Sequence, residues 1–271
     1  MAAYYYGSFN INDGINYFVT GKDNLSFPEV KQVYFKIGRL EGVKKTGESV
    51  DQKTITLNMM ILGVSRYDLE NRIDVLYQNL NKRGQYLQLH TNDNRQYIAD
   101  CIKADFPLKQ GDILVATGTV TFVLTSPYAI SSTASTYDSG AVTLTLVSGS
   151  TYTFPAFSIT GGGNVFSRPS IHFANNTAVA WTQVQIQQQT DSQTLTITSN
   201  LPSASGDYLD IYCDPSGNNG FSAIKNGVTQ CALNGIFPII EPTLTNFVVT
   251  INAPSAPHSD VTFSWNPRFL S

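Results

Sequence analysis

Residues 65–84 form the stretch of this chain in which apolar residues recur at helical spacing. Leu69, Ile73, Leu76 and Leu80 fall on one stripe, and charged residues fill the other side. Ser65 is placed to cap the free N–H groups of the first turn, and Asp68 three residues on completes a capping-box pattern. Asp68 and Glu70 suit the positive end of the helix dipole, and Lys82 and Arg83 suit the negative end. Gly84 is the expected terminator, because the residue after a helix often needs positive φ. A helix this short is stable only when docked, so the chain around it must supply a sheet. Arg66, Asp68, Glu70, Arg72 and Asp74 are then expected on the exposed side or at subunit contacts.

The flanking sequence answers to that need. Residues 4–9 and 17–20 read as short strands around the turn signal Asn12-Asp13-Gly14. Residues 33–37 read as another, and 38–51 as an exposed loop or hairpin tip. Residues 53–62 alternate around Ile55, Leu57 and Met59 and lead through Gly63 into the helix. Residues 86–90, 96–102 and 113–124 follow as strands, so the first module is α+β, a sheet or split barrel carrying one helix at 65–83.

Charge then changes along the chain. Residues 1–112 carry 14 Lys/Arg and 13 Asp/Glu, whereas residues 113–271 carry 3 and 7, which marks two modules with different surroundings. The boundary is expected within 127–139, where Ser131-Ser132-Thr133-Ala134-Ser135-Thr136 reads as a linker or loop, giving domains at 1–130 and 131–271. In the second module 142–147, 183–186, 194–198, 208–213, 247–251 and 261–265 alternate at period two, without helical periodicity. Segments 221–224 and 228–233 flank Lys225-Asn226-Gly227, a strong hairpin signal. Short strands at this spacing predict a β-sandwich or jelly roll. The fold class is therefore mainly β.

Chemistry-bearing patterns are sparse. His90, His172 and His258 have no metal-site spacing, and neither a GxSxG elbow nor a cysteine nucleophile signature occurs. Gly161-Gly162-Gly163-Asn164 lacks a following GK[ST] and reads as a flexible loop. Asp207, Asp210 and Asp214 carry oxygens of the kind calcium uses, but without EF-hand spacing they read as strand-end turn carboxylates. Cys101, Cys213 and Cys231 form no CxxC pair and are expected as buried free thiols. Trp181 and Trp265 offer a sugar-stacking platform, against which core packing is the preferred reading. A net charge of −3 gives no basic face for nucleic acid, and neither a membrane span nor a signal peptide is present, so synthesis in a cytoplasm is expected. No catalytic, cofactor or metal residue is assigned, binding residues are left unassigned, and no enzyme is expected.

The motifs as a set resemble the distal tail (Dit) protein family of long-tailed, siphovirus-type bacteriophages. In the first module these are Phe9-Asn10-Ile11-Asn12, Tyr17-Phe18-Val19, Asp51, Ile55-Thr56-Leu57, Leu62-Gly63 and Ser65 with Asp68-Leu69-Glu70. Ile73-Asp74, Leu76, Leu80, Gly84, Leu87, Tyr97-Ile98-Ala99 and Ser126-Pro127-Tyr128 continue the pattern. The second module is similar to the galectin-like sandwich of that family at Gly163-Asn164, Arg168-Pro169-Ser170-Ile171, Tyr208-Leu209-Asp210, Asn226-Gly227, Phe237-Pro238 and Asn266-Pro267-Arg268-Phe269. It departs at Asn12-Asp13-Gly14, where Asn-Gly is usual, and in the polar stretch 183–193.

The resemblance implies a structural virion protein made in the host cytoplasm and placed in the tail. It implies a homo-hexameric ring at the end of the tail tube, formed by the first domain and joining the tube protein to a tail-tip or tail-associated protein. DNA passes through such a ring without specific binding. The sandwich domain is expected to project outward toward receptor-binding proteins or host-wall carbohydrate. The rival expectation is a carbohydrate-binding module or adhesin that works through the sandwich.

Overall fold

The computed structural model describes residues 3–23, 53–89, 94–108, 114–126, 128–214 and 219–269, and the backbone of 30–35 and 44–50. The chain divides into two units, Met1–Ser132 with Phe269–Ser271, and Thr133–Arg268. The closing residues thus group with the first unit, which their position along the chain does not show.

The first unit is built on strand Thr54–Leu62, whose residues alternate between buried and half-buried. Ile55, Leu57, Met59 and Ile61 enter the core, and the alternation fixes the register because a one-residue slip would turn all four to solvent. This strand pairs antiparallel with Val115–Leu124 on one side and Tyr17–Asp23 on the other. The sheet continues through Arg95–Asp105, Gln85–Gln88 and Tyr5–Tyr6 to Phe9–Asn10. The predicted strand over 4–9 is in fact a tight hairpin, since Gly7 turns the chain at φ +59°. A separate hairpin pairs Val30–Phe35 with Lys44–Val50, so part of the expected 38–51 loop is a strand; residues 36–43 lie outside the described residues.

Helix α1, Arg66–Leu80, docks on this sheet through Leu69, Ile73, Leu76 and Leu80, all buried. The strand runs into it through Gly63, where a Cβ would sit 2.8 Å from Leu69, so only glycine permits the approach. The helix ends earlier than expected, at Asn81, whose N–H reaches the carbonyls of Asn79 and Tyr77. Lys82 and Arg83 therefore lie beyond the last turn, which carries no basic residue. Gly84 does adopt positive φ, but it serves the turn into strand Gln85–Gln88, its N–H donating to Asp100 Oδ1 at 2.6 Å.

The second unit is a sandwich of two antiparallel sheets. One runs Ser135–Asp138, His258–Trp265, Ser170–Asn175, Tyr208–Tyr212, Ser222–Lys225 and Thr229–Gln230, with Val142–Thr143 on the start of His258–Trp265. The other runs Thr145–Ser148, Thr151–Thr153, Thr245–Asn252, Gln183–Gln188, Gln193–Ile197 and Leu233–Gly235, with Phe157–Ile159 also on Thr245–Asn252. Val261, Phe263, Phe173, Leu209 and Ile211 from the first meet Phe247, Val249, Ile251, Val184 and Ile186 from the second. Phe157, Phe247 and Phe263 form an aromatic centre with ring separations of 4.9–5.8 Å.

Several expectations need correction here. The Ser/Thr-rich stretch 131–136 is not a free linker: Ala129–Ser131 pairs with the start of Arg95–Asp105, and Ser135–Asp138 pairs with His258–Trp265. The single strand predicted over 142–147 is two strands in different sheets, divided at buried Leu144, whose N–H donates to Pro257 O. Asn226 and Gly227, at φ 51° and 69°, form the hairpin turn that the sequence predicts, closed by Val228 N–H to Lys225 O at 3.1 Å.

Candidate interaction surface and the charged groups around it

At the N-terminal end of α1 a set of side chains ties three segments together. Ser65 Oγ accepts the Asp68 N–H at 3.1 Å, as the capping pattern predicts. The Asp68 carboxylate takes the N–H of Val64 rather than that of Ser65, at 2.8 Å, and this contact, with Arg72 beside it, lowers its pKa. Arg72 is half-buried and not a free surface charge: it pairs with Asp68 at 2.9 Å, donates to Leu62 O at 2.9 Å and to Asn16 Oδ1. Tyr17 Oη in turn donates to Arg72 O at 2.9 Å. Asp13 caps the turn before Tyr17; burial opposes its ionisation, but the N–H groups of Tyr17, Ile15 and Asn16 hold its carboxyl below the usual range. The result is a rigid platform made of residues 13–17, 62–68 and 72. Sequence periodicity gives no sign of the Arg72–Asn16 contact, which joins residues 56 apart.

At the other end of α1 a shallow groove runs between the helix and strand Arg95–Asp105, lined by Tyr77, Leu80, Arg83, Ile102 and Lys103. The strand bulges between Cys101 and Lys103, and Ile102 is exposed there.

In the sandwich, the three aspartates separate into three unconnected roles. Asp207 accepts the N–H groups of Ser203 and Ala204 and the amide of Asn226, and pairs with Lys225 at 3.0 Å. The Ser203 N–H, Asn226 and Lys225 together push its pKa far below the ordinary 3.8. Asp210 meets His172 Nδ1 at 2.7 Å across paired strands, and Asp214 meets Arg268 at 2.7 Å. Among the described residues, no group of three or more His, Cys, Asp or Glu side chains is placed to hold a metal ion. His258 Nδ1 lies 3.2 Å from Thr143 Oγ1, and His90 lies outside the described residues. The cysteines are free thiols, but only Cys213 is buried, where desolvation pushes its pKa up to about 12; Cys101 and Cys231 are half-buried.

Two further readings change. The glycine run 161–163 is tightly packed and not loose: a Cβ on Gly161 would lie 2.3 Å from Glu241 O, and one on Gly163 2.0 Å from Arg268 O. Gly161 O also accepts the Trp265 indole N–H at 2.9 Å. Trp181 and Trp265 are both buried in the sandwich core, so neither offers a stacking face to sugar. Among the described residues no helix is long and apolar enough to cross a membrane.

Comparison with known proteins agrees with this architecture. Residues 8–124 match the family described as the phage tail protein RIFT-related domain, and the match falls on the helix-bearing unit. Over the whole chain the fold is that of a distal tail protein. The crystal structure of SPP1 Dit, described as a paradigm of the hub adsorption apparatus in phages infecting Gram-positive bacteria, superposes with a TM-score of 0.69 at 15% identity, covering 99% of each chain. The baseplate of phage P2 in its activated conformation, with Ca and with Sr, matches at TM-scores of 0.48 and 0.46, with 9% and 10% identity, each covering 94% of this chain and 92% of that one. No curated protein matches by sequence. The resemblance carried by the sequence motifs is borne out.

Proposed function

We propose that this chain is a structural virion protein, the hub ring at the distal end of a siphovirus-type phage tail. One observation carries the reading: the phage tail match over residues 8–124 coincides with the helix-bearing unit, inside a fold shared end to end with SPP1 Dit. In this reading six copies close a ring through residues 1–130, the ring continues the tail tube, and DNA passes through it without specific contacts. The domain at 131–271 faces outward. The ring joins the tube protein to a tail-tip protein, and the outer domain is the attachment point for receptor-binding proteins. The role is architectural and not enzymatic, a reading supported by the Asp68–Arg72, Asp207–Lys225 and Asp214–Arg268 pairs, each of which joins local structural elements. Electron microscopy of virions labelled with antibody against residues 131–271 is expected to place label at the tail end away from the capsid. Label along the tube or on the capsid would overturn the proposal.

A further inference from the structure

The second unit carries three cations, Arg168, Lys225 and Arg268, against seven carboxylates. Lys225 is paired with Asp207 at 3.0 Å, and Arg268 with Asp214 at 2.7 Å. Arg168 has no carboxylate partner among the described residues. Its guanidinium donates to Cys213 O at 3.3 Å and otherwise lies over two rings, 5.1 Å from the centroid of Phe221 and 5.7 Å from that of Phe166. Phe221 is 45% exposed and packs against Phe237, with ring centroids 4.8 Å apart. An arginine without a counter-ion is thus set among partly exposed rings. The backbone beneath it is already fixed. Ser167 and Ile240 exchange both N–H···O bonds at 2.8 Å, Cys213 N–H donates to Pro169 O at 3.2 Å, and Phe221 leads directly into strand Ser222–Lys225. Docking at this place orders side chains alone, which keeps its entropic cost low.

We propose that Arg168, Phe166, Phe221 and Phe237 form a docking site for an acidic peptide segment of a partner protein. A carboxylate of that segment meets the Arg168 guanidinium, and a neighbouring apolar side chain lies on the Phe221–Phe237 pair. The planar guanidinium fork matches a carboxylate, and one that stacks on aromatic faces is weakly hydrated and gives up little water on pairing. Arginine and aromatic rings are also the side chains that carry most of the energy of protein interfaces. The charge of the rest of the unit narrows the occupant further. Seven carboxylates repel a long polyanion, so recognition rests on one short-range ion pair together with apolar contact. A peptide with an acid beside an apolar residue supplies both. All four side chains belong to the second unit, so the site is present in a single copy whether or not a ring forms.

Fluorescence polarisation of full-length protein tests the site. The probes are fluorescein-labelled hexapeptides that alternate Glu or Asp with Phe, Leu or Tyr, and twins carrying Gln or Asn in place of the acid. The protein variants are Arg168→Gln, Arg168→Lys, Phe221→Ala and the control Val228→Ala, a position 84% exposed at the hairpin tip of the same unit. Thermal melts establish that each variant is folded. Wild type and Val228→Ala are expected to bind acidic probes and to bind the amide twins roughly tenfold or more weakly, the effect of losing a charged hydrogen bond. Arg168→Gln and Phe221→Ala are expected to weaken the acidic probes by a similar factor. Arg168→Lys, which keeps the charge but loses the fork, is expected to fall between wild type and Arg168→Gln. If Arg168→Gln unfolds, Phe221→Ala carries the test, because its side chain is partly exposed. Acidic probes that bind folded Arg168→Gln and Phe221→Ala as well as wild type would overturn the assignment, as would a wild type that binds none of them. Polyphosphate or polygalacturonate that binds through Arg168 more tightly than every peptide would give the site to a phosphate or uronate polymer, and also overturn it.

Discussion

Asp207 illustrates how single residues work in this protein. Its carboxylate closes the loop 203–207 on itself through Ser203 and Ala204 and fastens it to the hairpin through Asn226 and Lys225. All of these partners favour the charged form, so the folded carboxyl holds its charge well below 3.8 while the unfolded one does not. The sign of the pH dependence follows. A lowered folded pKa contributes stability that is full above the unfolded value and is lost as the unfolded state takes up the proton. Asp207→Asn is therefore expected to lower the melting temperature at pH 7. The difference from wild type should narrow as pH falls from about 4 toward 2, where the wild-type advantage fades. Melting curves across that range check it, and a difference constant with pH would contradict it. Cys213, in contrast, is kept protonated by burial and has only a packing role.

Among the elements, α1 decides whether the first unit holds together. Its four stripe residues are the part of the helix that reaches the core, and Leu76 is fully buried among them. Leu76→Ala is expected to cost roughly 2–5 kcal/mol, the range for deleting a buried leucine side chain. Chemical denaturation of the first transition reads it, and an unchanged midpoint would mean that the stripe is not packed. This element was legible in the sequence because cap, periodicity and core face all point the same way. Strand Thr54–Leu62 and the Asn226-Gly227 turn were legible for the same reason, each being a local pattern with a local cause. Strand Ser170–Asn175 is not legible in the sequence, although it is central to its sheet, because only Ile171 and Phe173 mark its buried face. The glycines at 161 and 163 read as slack because what they fit against, Glu241 and Arg268, is about 80 and 105 residues further along the chain. The Arg72 contacts were hidden likewise: Asn16, to which Arg72 donates, lies 56 residues earlier, and nothing local joins the two.

At the scale of the molecule, a unit that matches a phage tail domain family and a β-sandwich share one chain, with a fold like that of SPP1 Dit. The proposed ring role asks for closure rather than for catalysis. In the proposed ring, subunits that bury apolar faces against each other would keep a chain with 14% charged residues in solution as an assembly. The most direct measurement is the mass and symmetry of the purified full-length protein, by native mass spectrometry and electron microscopy. The account predicts a closed six-fold ring of six times the 29.7 kDa protomer mass, with an open central channel. A stable monomer that forms no ring even in the presence of its tail partners would contradict it.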